Sequence, residues 1–374
     1  MPGYKLFFDE RPKNRRKDLY DMEKELEAFV KAVKRGDPLI VLAGLRRTGK
    51  TSLLLTGLNE MSNPSIVLDL RALAGQPYAT RRDLIGEFER GLNKLLEARG
   101  KLSVKLLEHL KRLRGVEVSV TGVSLSWGGK SQLDLADLFD QVGKWASKEG
   151  QRIVVAFDEA QELKKIAGVD VAKFIAHIYD YCRNVSVVLT GSAVGLLYDF
   201  IGVENPKAPL YGRGRTEINL QHISQEKARD FLLRGFRQAK LKVNLNVIHR
   251  AVEALDGVIG WLTIFGATCI KRGVSDSALD ETLEAGKAIA RQEFENFLRE
   301  REAARRRYQV IVRYLAKSPS SWSAVKGAIE ADEGRVVNDR NISDLLTTLV
   351  KAGFVEKRDE QYVLTDFMLA RALL

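Results

Sequence analysis

Leu39-Ile40-Val41-Leu42-Ala43-Gly44-Leu45-Arg46-Arg47-Thr48-Gly49-Lys50-Thr51-Ser52 is the stretch on which the fold turns. It opens as an apolar run of strand length, matches GxxxxGK[ST] from Gly44 to Thr51, and continues into a helical stretch from Ser52 to Met61. Strand, glycine-rich turn and helix N-terminus together make a phosphate cradle. Gly44 and Gly49 let the main chain of Leu45, Arg46, Arg47 and Thr48 close its N–H groups around phosphate oxygens, and the helix N-terminus at Lys50, Thr51 and Ser52 adds positive potential. Lys50 is expected to reach the β and γ phosphates, and the Thr51 hydroxyl to ligate Mg²⁺. A site for Mg-ATP follows.

Further along, Ile153-Val154-Val155-Ala156-Phe157 is a wholly apolar run that ends in Asp158-Glu159. Asp158 is expected to hold Mg²⁺ through water, and Glu159 to accept a proton from the attacking water. Ile66 to Leu70, Val185 to Thr190 and Thr216 to Leu220 are further short β-rich runs separated by helical segments, the pattern of an α/β fold with a central parallel sheet. After the run from Val185, Thr190 or Ser192 is placed to orient the lytic water, or else to cap the next helix. Arg213 and Arg215, flanked by Gly212 and Gly214, belong to a loop that could present a guanidinium to a γ phosphate, from the same chain or from a neighbouring one, or that simply carries solvated charge.

Around this nucleotide domain the pattern changes. A helix is expected from Leu19 to Lys34, behind a basic arm that includes Arg11 to Lys17. Val116, Val118, Val120, Val123, Leu125 and Trp127 nearly alternate with polar residues, which suggests an inserted hairpin before Gly128-Gly129. From about Ser224 to Gly273 the pattern becomes helical, with one or two long charged helices between Ser277 and Tyr314. Three short helices and the runs Phe354 to Arg358 and Gln361 to Leu364 then form a winged helix-turn-helix. The expected domains are residues 1–221, 222–300 and 301–374.

Composition narrows the function. No apolar run approaches the roughly 18 residues a membrane span needs, and the N-terminus lacks a secretory pattern, so a cytoplasmic protein is expected. Cys182 and Cys269 read as core residues, and the four histidines have no thiol or carboxylate at ligand spacing, so no transition-metal site is expected. A net charge of +11 favours polyanionic partners, although a surface rich in both signs, as heat-stable proteins carry, has the same composition.

The phosphate loop, Phe157-Asp158-Glu159-Ala160-Gln161-Glu162, Leu189-Thr190-Gly191-Ser192-Ala193-Val194-Gly195-Leu196-Leu197, Pro209-Leu210-Tyr211-Gly212-Arg213 and Asp256-Gly257-Val258-Ile259-Gly260-Trp261-Leu262 together resemble the archaeal ATPase family, within the STAND and AAA+-like branch of P-loop proteins. The resemblance extends to the segment 15–26 and to the winged helix. It implies that Asp158 and Glu159 are the Mg²⁺ and catalytic acids, Ser192 the sensor and Arg213 the matching arginine, and that Leu19 and Tyr20 lie against the adenine. Ile259 stands where the family usually has a proline at the start of the lid helix, which bears on nucleotide sensing by the lid.

The expected function is an ATP-binding and hydrolysing switch or remodelling factor that acts on a protein or nucleic-acid partner, with oligomers open to it. The alternative is a DNA-binding factor resembling archaeal replication initiators. Against it, the helix expected to read DNA, Asp339 to Lys351, carries as many acids as bases. The arginines at 299, 301 and 305–307 do not form one helical stripe, and internal ion pairs are expected for them.

Overall fold

The structure is a computed structural model that describes residues 7–61, 63–74, 78–99, 101–119, 122–125 and 134–374. Five strands build its central sheet: β1 (Leu39–Gly44), β2 (Ser65–Asp69), β3 (Ile153–Asp158), β4 (Val185–Gly191) and β5 (Thr216–Leu220). They lie in the order β2-β3-β4-β1-β5, and every neighbouring pair is parallel. Such strands are apolar on both faces because helices cover both. In β1, Leu39, Val41 and Ala43 enter the core shared with Phe88, Phe139 and Phe157. Ile40 and Leu42 enter the opposite one, with the helices Glu23–Arg35 and Lys50–Met61.

Helix Glu23–Arg35 buries Leu26, Phe29 and Val33 at helical spacing, each large side chain contributing about 1.5–3 kcal/mol, and stops at Gly36 in the left-handed region. It begins later than expected. Arg16–Asp18 is a single 3-10 turn, Leu19 is extended and Asp21 has φ 52°. Tertiary contacts outweigh helical periodicity here: Tyr20 packs edge-on against Phe7 and Phe231 and donates to Asp230 at 2.7 Å.

The inserted hairpin is present as antiparallel Val116–Ser119 and Gly122–Leu125; Val120, Trp127 and Gly128-Gly129 lie outside the described residues. After β5 the chain is helical through Asp276–Arg299, followed by helices Arg305–Lys317, Trp322–Glu333 and Asp339–Lys351. The wing pairs Val355–Arg358 with Gln361–Leu364, and Ser320–Ser321 adds a short third strand. One continuous core runs through lid and winged helix, joining Phe265, Leu298, Ile311, Leu346 and Met368.

The winged helix is also docked on the nucleotide domain. Lys351 pairs with Asp199 of helix Val194–Ile201 at 3.0 Å. Gly195 on that helix lies so close to the Lys351 main chain that a Cβ there would come within 2.5 Å of its Cα. Among the described residues no helix is long and apolar enough to cross a membrane.

Candidate functional site

Parallel register gathers the site at the C-terminal edge of the sheet. Ala43 of β1 stands beside Gly191 of β4, and Phe157 of β3 beside Leu189, so the glycine-rich loop, Asp158, Glu159 and Ser192 emerge together. The loop needs its glycines. At Gly49 (φ +95°) a Cβ would meet the Met22 Cε at 2.5 Å, and at Gly44 (φ +156°) it would meet the Leu220 carbonyl at 2.5 Å.

Lys50 opens helix Lys50–Met61 and is 4% exposed. Its ammonium donates to the carbonyls of Gly44 at 2.9 Å and Leu45 at 2.7 Å. Burial pushes its pKa down to about 8, with Glu159 opposing the fall. The Thr51 hydroxyl donates to Asp158 at 2.9 Å, and the Thr190 hydroxyl donates to the other Asp158 oxygen at 2.6 Å while accepting from the Glu159 N–H at 3.0 Å. Burial raises the Asp158 pKa against those hydrogen bonds.

Glu159 is left-handed (φ 60°), which turns its side chain away from that of Asp158. Its carboxylate accepts from the Ser192 hydroxyl at 2.6 Å, the Ser192 N–H at 3.1 Å and the Gln161 amide at 2.7 Å. Burial disfavours the Glu159 charge, yet Lys50 and these donors hold its pKa below the ordinary range. Of the two hydroxyls considered from sequence, Thr190 serves Asp158 and Ser192 serves Glu159.

Lys50, Thr51, Glu159, Gln161 and Ser192 front a cleft of ≈ 770 Å³. Leu19, Tyr20, Met22, Phe231 and Ile259 give it an apolar side; Arg46, Arg47, Lys50 and Arg71 give it a basic one. The donor set suits a Mg-nucleotide: a glycine-walled loop at a helix N-terminus, a buried ammonium, and a hydroxyl–carboxylate pair for the ion. Gly44 and Thr48 lie in the loop behind the lining side chains, and Leu45 faces Gly353 of the winged-helix segment.

Arg46 and Arg47 lean outward to the lid and winged helix. Both pair with Glu293 on helix Asp276–Arg299, at 3.3 and 2.6 Å. The Arg46 guanidinium stacks over Phe354 at 4.8 Å and that of Arg47 over Trp261 at 4.1 Å. The Gly260 N–H, at the start of lid helix Ile259–Arg272, donates to the Arg47 carbonyl at 3.1 Å.

Arg213 is not brought to the cleft. It precedes β5, whose first residue Thr216 pairs with Ile40 while its last, Leu220, pairs with Gly44. That places it at the opposite edge, on the order of 13 Å away at strand rise. There its guanidinium binds Asp180 at 2.7 Å and the Pro209 carbonyl. A finger within the same chain is therefore corrected by position: the loop stands at the wrong end of its strand.

Arg71 was missed from sequence. It lies just past the C-terminal end of β2, pairs with Asp69 at 2.5 Å and approaches Asp158 at 4.0 Å. A charged residue directly after a strand of a parallel sheet was the available signal.

A profile of an ATPase domain predominantly from Archaea matches residues 19–261, and one of the MCM protein C-terminal winged helix-turn-helix domain matches residues 302–364. No curated protein matches. Among solved structures, the Walker-type ATPase paby2304 of Pyrococcus abyssi is 32% identical, with a TM-score of 0.80 over 98% of this chain and 99% of that one. The Orc2 protein of Aeropyrum pernix, solved as ADPNP-ADP complexes, is 13% identical at a TM-score of 0.63 over 98% and 95%, a likeness of fold.

Proposed function

Because this chain belongs to the archaeal ATPase domain family, we propose that it binds Mg-ATP in the cleft, hydrolyses it slowly and acts as a nucleotide-dependent switch on a partner. One observation carries the switch: Arg46 and Arg47 of the phosphate loop are tied through Glu293, Trp261 and Phe354 to the lid and the winged helix. A phosphate that draws either guanidinium inward loosens those ties, so nucleotide state and domain docking share one set of contacts. Bound Mg-ATP supplies the γ phosphate as electrophile. Thr51 and Asp158 would hold the ion, Lys50 would turn from the loop carbonyls to the β and γ phosphates, and Leu19 and Tyr20 would flank the adenine. Glu159 takes the proton of the attacking water once Ser192 and Gln161 yield its carboxylate.

A protein partner, or a nucleic acid held by charge, fits better than base reading. The C-terminal end of helix Asp339–Lys351 is packed on the nucleotide domain, and the wing's Lys357 and Arg358 are paired with Glu360 and Glu356. The test is ATP turnover alone and with DNA, RNA or fractionated lysate. Stimulation by a protein fraction, or by nucleic acid with steep salt dependence, is expected. Sequence-selective DNA binding that survives moderate salt would point to an initiator-like factor instead, and absence of turnover under every condition would remove the ATPase reading.

A further inference from the structure

We propose that Asp140, His177 and Cys182 form a zinc-binding site at the N-terminal edge of the sheet, opposite the nucleotide cleft. Asp140 lies on helix Leu135–Lys148 and His177 on helix Val171–Tyr181. Cys182 caps the second helix just before β4, where the free carbonyls and the negative end of the helix dipole favour a cation.

One ligand atom from each residue lies within 4.8 Å of the others. The Asp140 Oδ1 is 3.2 Å from the His177 Nε2 and 3.4 Å from the Cys182 Sγ. Tetrahedral zinc, with bonds of about 2.0 Å to O and N and about 2.3 Å to S, spaces these two pairs at about 3.3 and 3.5 Å, close to the distances already present.

The same distances let the ring N–H and the thiol donate to Asp140, and zinc replaces both donors. The thiol proton leaves to solvent, the ring proton moves to Nδ1, and thiolate, Nε2 and carboxylate bind the metal. Oxygen, nitrogen and sulfur together select zinc over a hard ion such as Mg²⁺. Cys182 is 5% exposed, while the His177 and Asp140 side chains are 31% and 36% exposed, which leaves an entry path and a fourth position for water. Lys144, the nearby cation, is exposed and free to turn outward. Asp180, which holds Arg213, belongs to the same last helical turn, so a filled site would stiffen the base of the Arg213 loop.

The test is cobalt titration of the full chain, stripped with chelator, with excess Mg²⁺ present to occupy the phosphate site. Expected are a thiolate-to-cobalt charge-transfer band and the strong visible bands of a four-coordinate ion, saturating at one cobalt per chain and displaced by zinc. Cys182→Ser should abolish the charge-transfer band, and both Cys182→Ser and His177→Ala should weaken zinc binding by about tenfold or more, since loss of an outer-shell partner alone costs about that much. Cys269→Ser should keep both. Absence of the band in the wild-type protein overturns the site whatever the variants do, and so does a band that survives Cys182→Ser or zinc affinity that is unchanged in His177→Ala.

Discussion

Lys50 is held almost wholly out of water between two main-chain carbonyls, and burial lowers its pKa from 10.5 to about 8. On the order of 3 kcal/mol is set against the charged form. Between those two values the unfolded chain binds more protons than the folded one, so stability rises with pH across that window; the cost is complete below it and gone above it. Lys50→Met removes the cost, leaves two carbonyls unpaired, and should stabilise the nucleotide-free protein by about 1 kcal/mol at pH 7 while abolishing ATP binding. Denaturation at pH 7 and pH 10 checks this: the advantage of the variant should shrink with pH, and a constant difference would show that the ammonium is not penalised. Glu159 calls for the opposite kind of change. Glu159→Gln keeps the shape but cannot take a proton, so ATP affinity by calorimetry should be retained and turnover should fall by about 10²-fold or more. Wild-type turnover in the variant would exclude Glu159 as the base.

At the scale of elements, the lid helix Asp276–Arg299 reaches the phosphate loop through Glu293 alone of its acids paired to Arg46 and Arg47. The three side chains are partly exposed, so the pairs contribute about 1 kcal/mol or less each. Glu293 also places a carboxylate at the rim of the cleft proposed for the nucleotide. Glu293→Ala should therefore raise ATP affinity several-fold and loosen the lid, seen as faster amide exchange in helix Ile259–Arg272. Weaker ATP binding would mean instead that Glu293 holds the two arginines where the nucleotide needs them. The helices after the lid pair in a similar way: Arg301 meets Glu300 and Arg305 meets Glu302 within the segment, as expected, while Arg305 also meets Glu295, and Arg306 and Arg307 meet Asp332 and Glu333 on another helix.

For the whole molecule, the position of Arg213 decides how it can act. At the edge opposite the cleft it can meet a γ phosphate only in another copy of the chain. If it does, Arg213→Ala should lower turnover by an order of magnitude or more, within the range of about 10³ to 10⁵ that such arginines supply, with little change in ATP affinity. Specific activity of the wild type should rise with protein concentration, and mixing Arg213→Ala with Glu159→Gln should restore some turnover. Constant specific activity on dilution, with no rescue on mixing, would leave Arg213 outside the mechanism.

The sequence by itself determined the parallel-sheet fold, the phosphate loop, the acidic pair and the winged helix. Each of these is written in contiguous residues whose chemistry is local: a strand's apolar run, glycines at a turn, a helix N-terminus, acids at a strand end. Strand register then brought the separate pieces to one edge, as the fold class requires. What only the tertiary structure decided depends on residues far apart in the chain. Tyr20 left its helix because Phe231 and Asp230 offered it a better place. Glu293 became the lid's hold on Arg46 and Arg47, and Arg71 joined the cleft because β2 lies beside β3. Asp140 met His177 and Cys182 across two helices, at a spacing no linear motif displays. Arg213 was legible as a glycine-flanked arginine, but which end of the sheet it occupies followed only from the direction in which β5 runs beside β1.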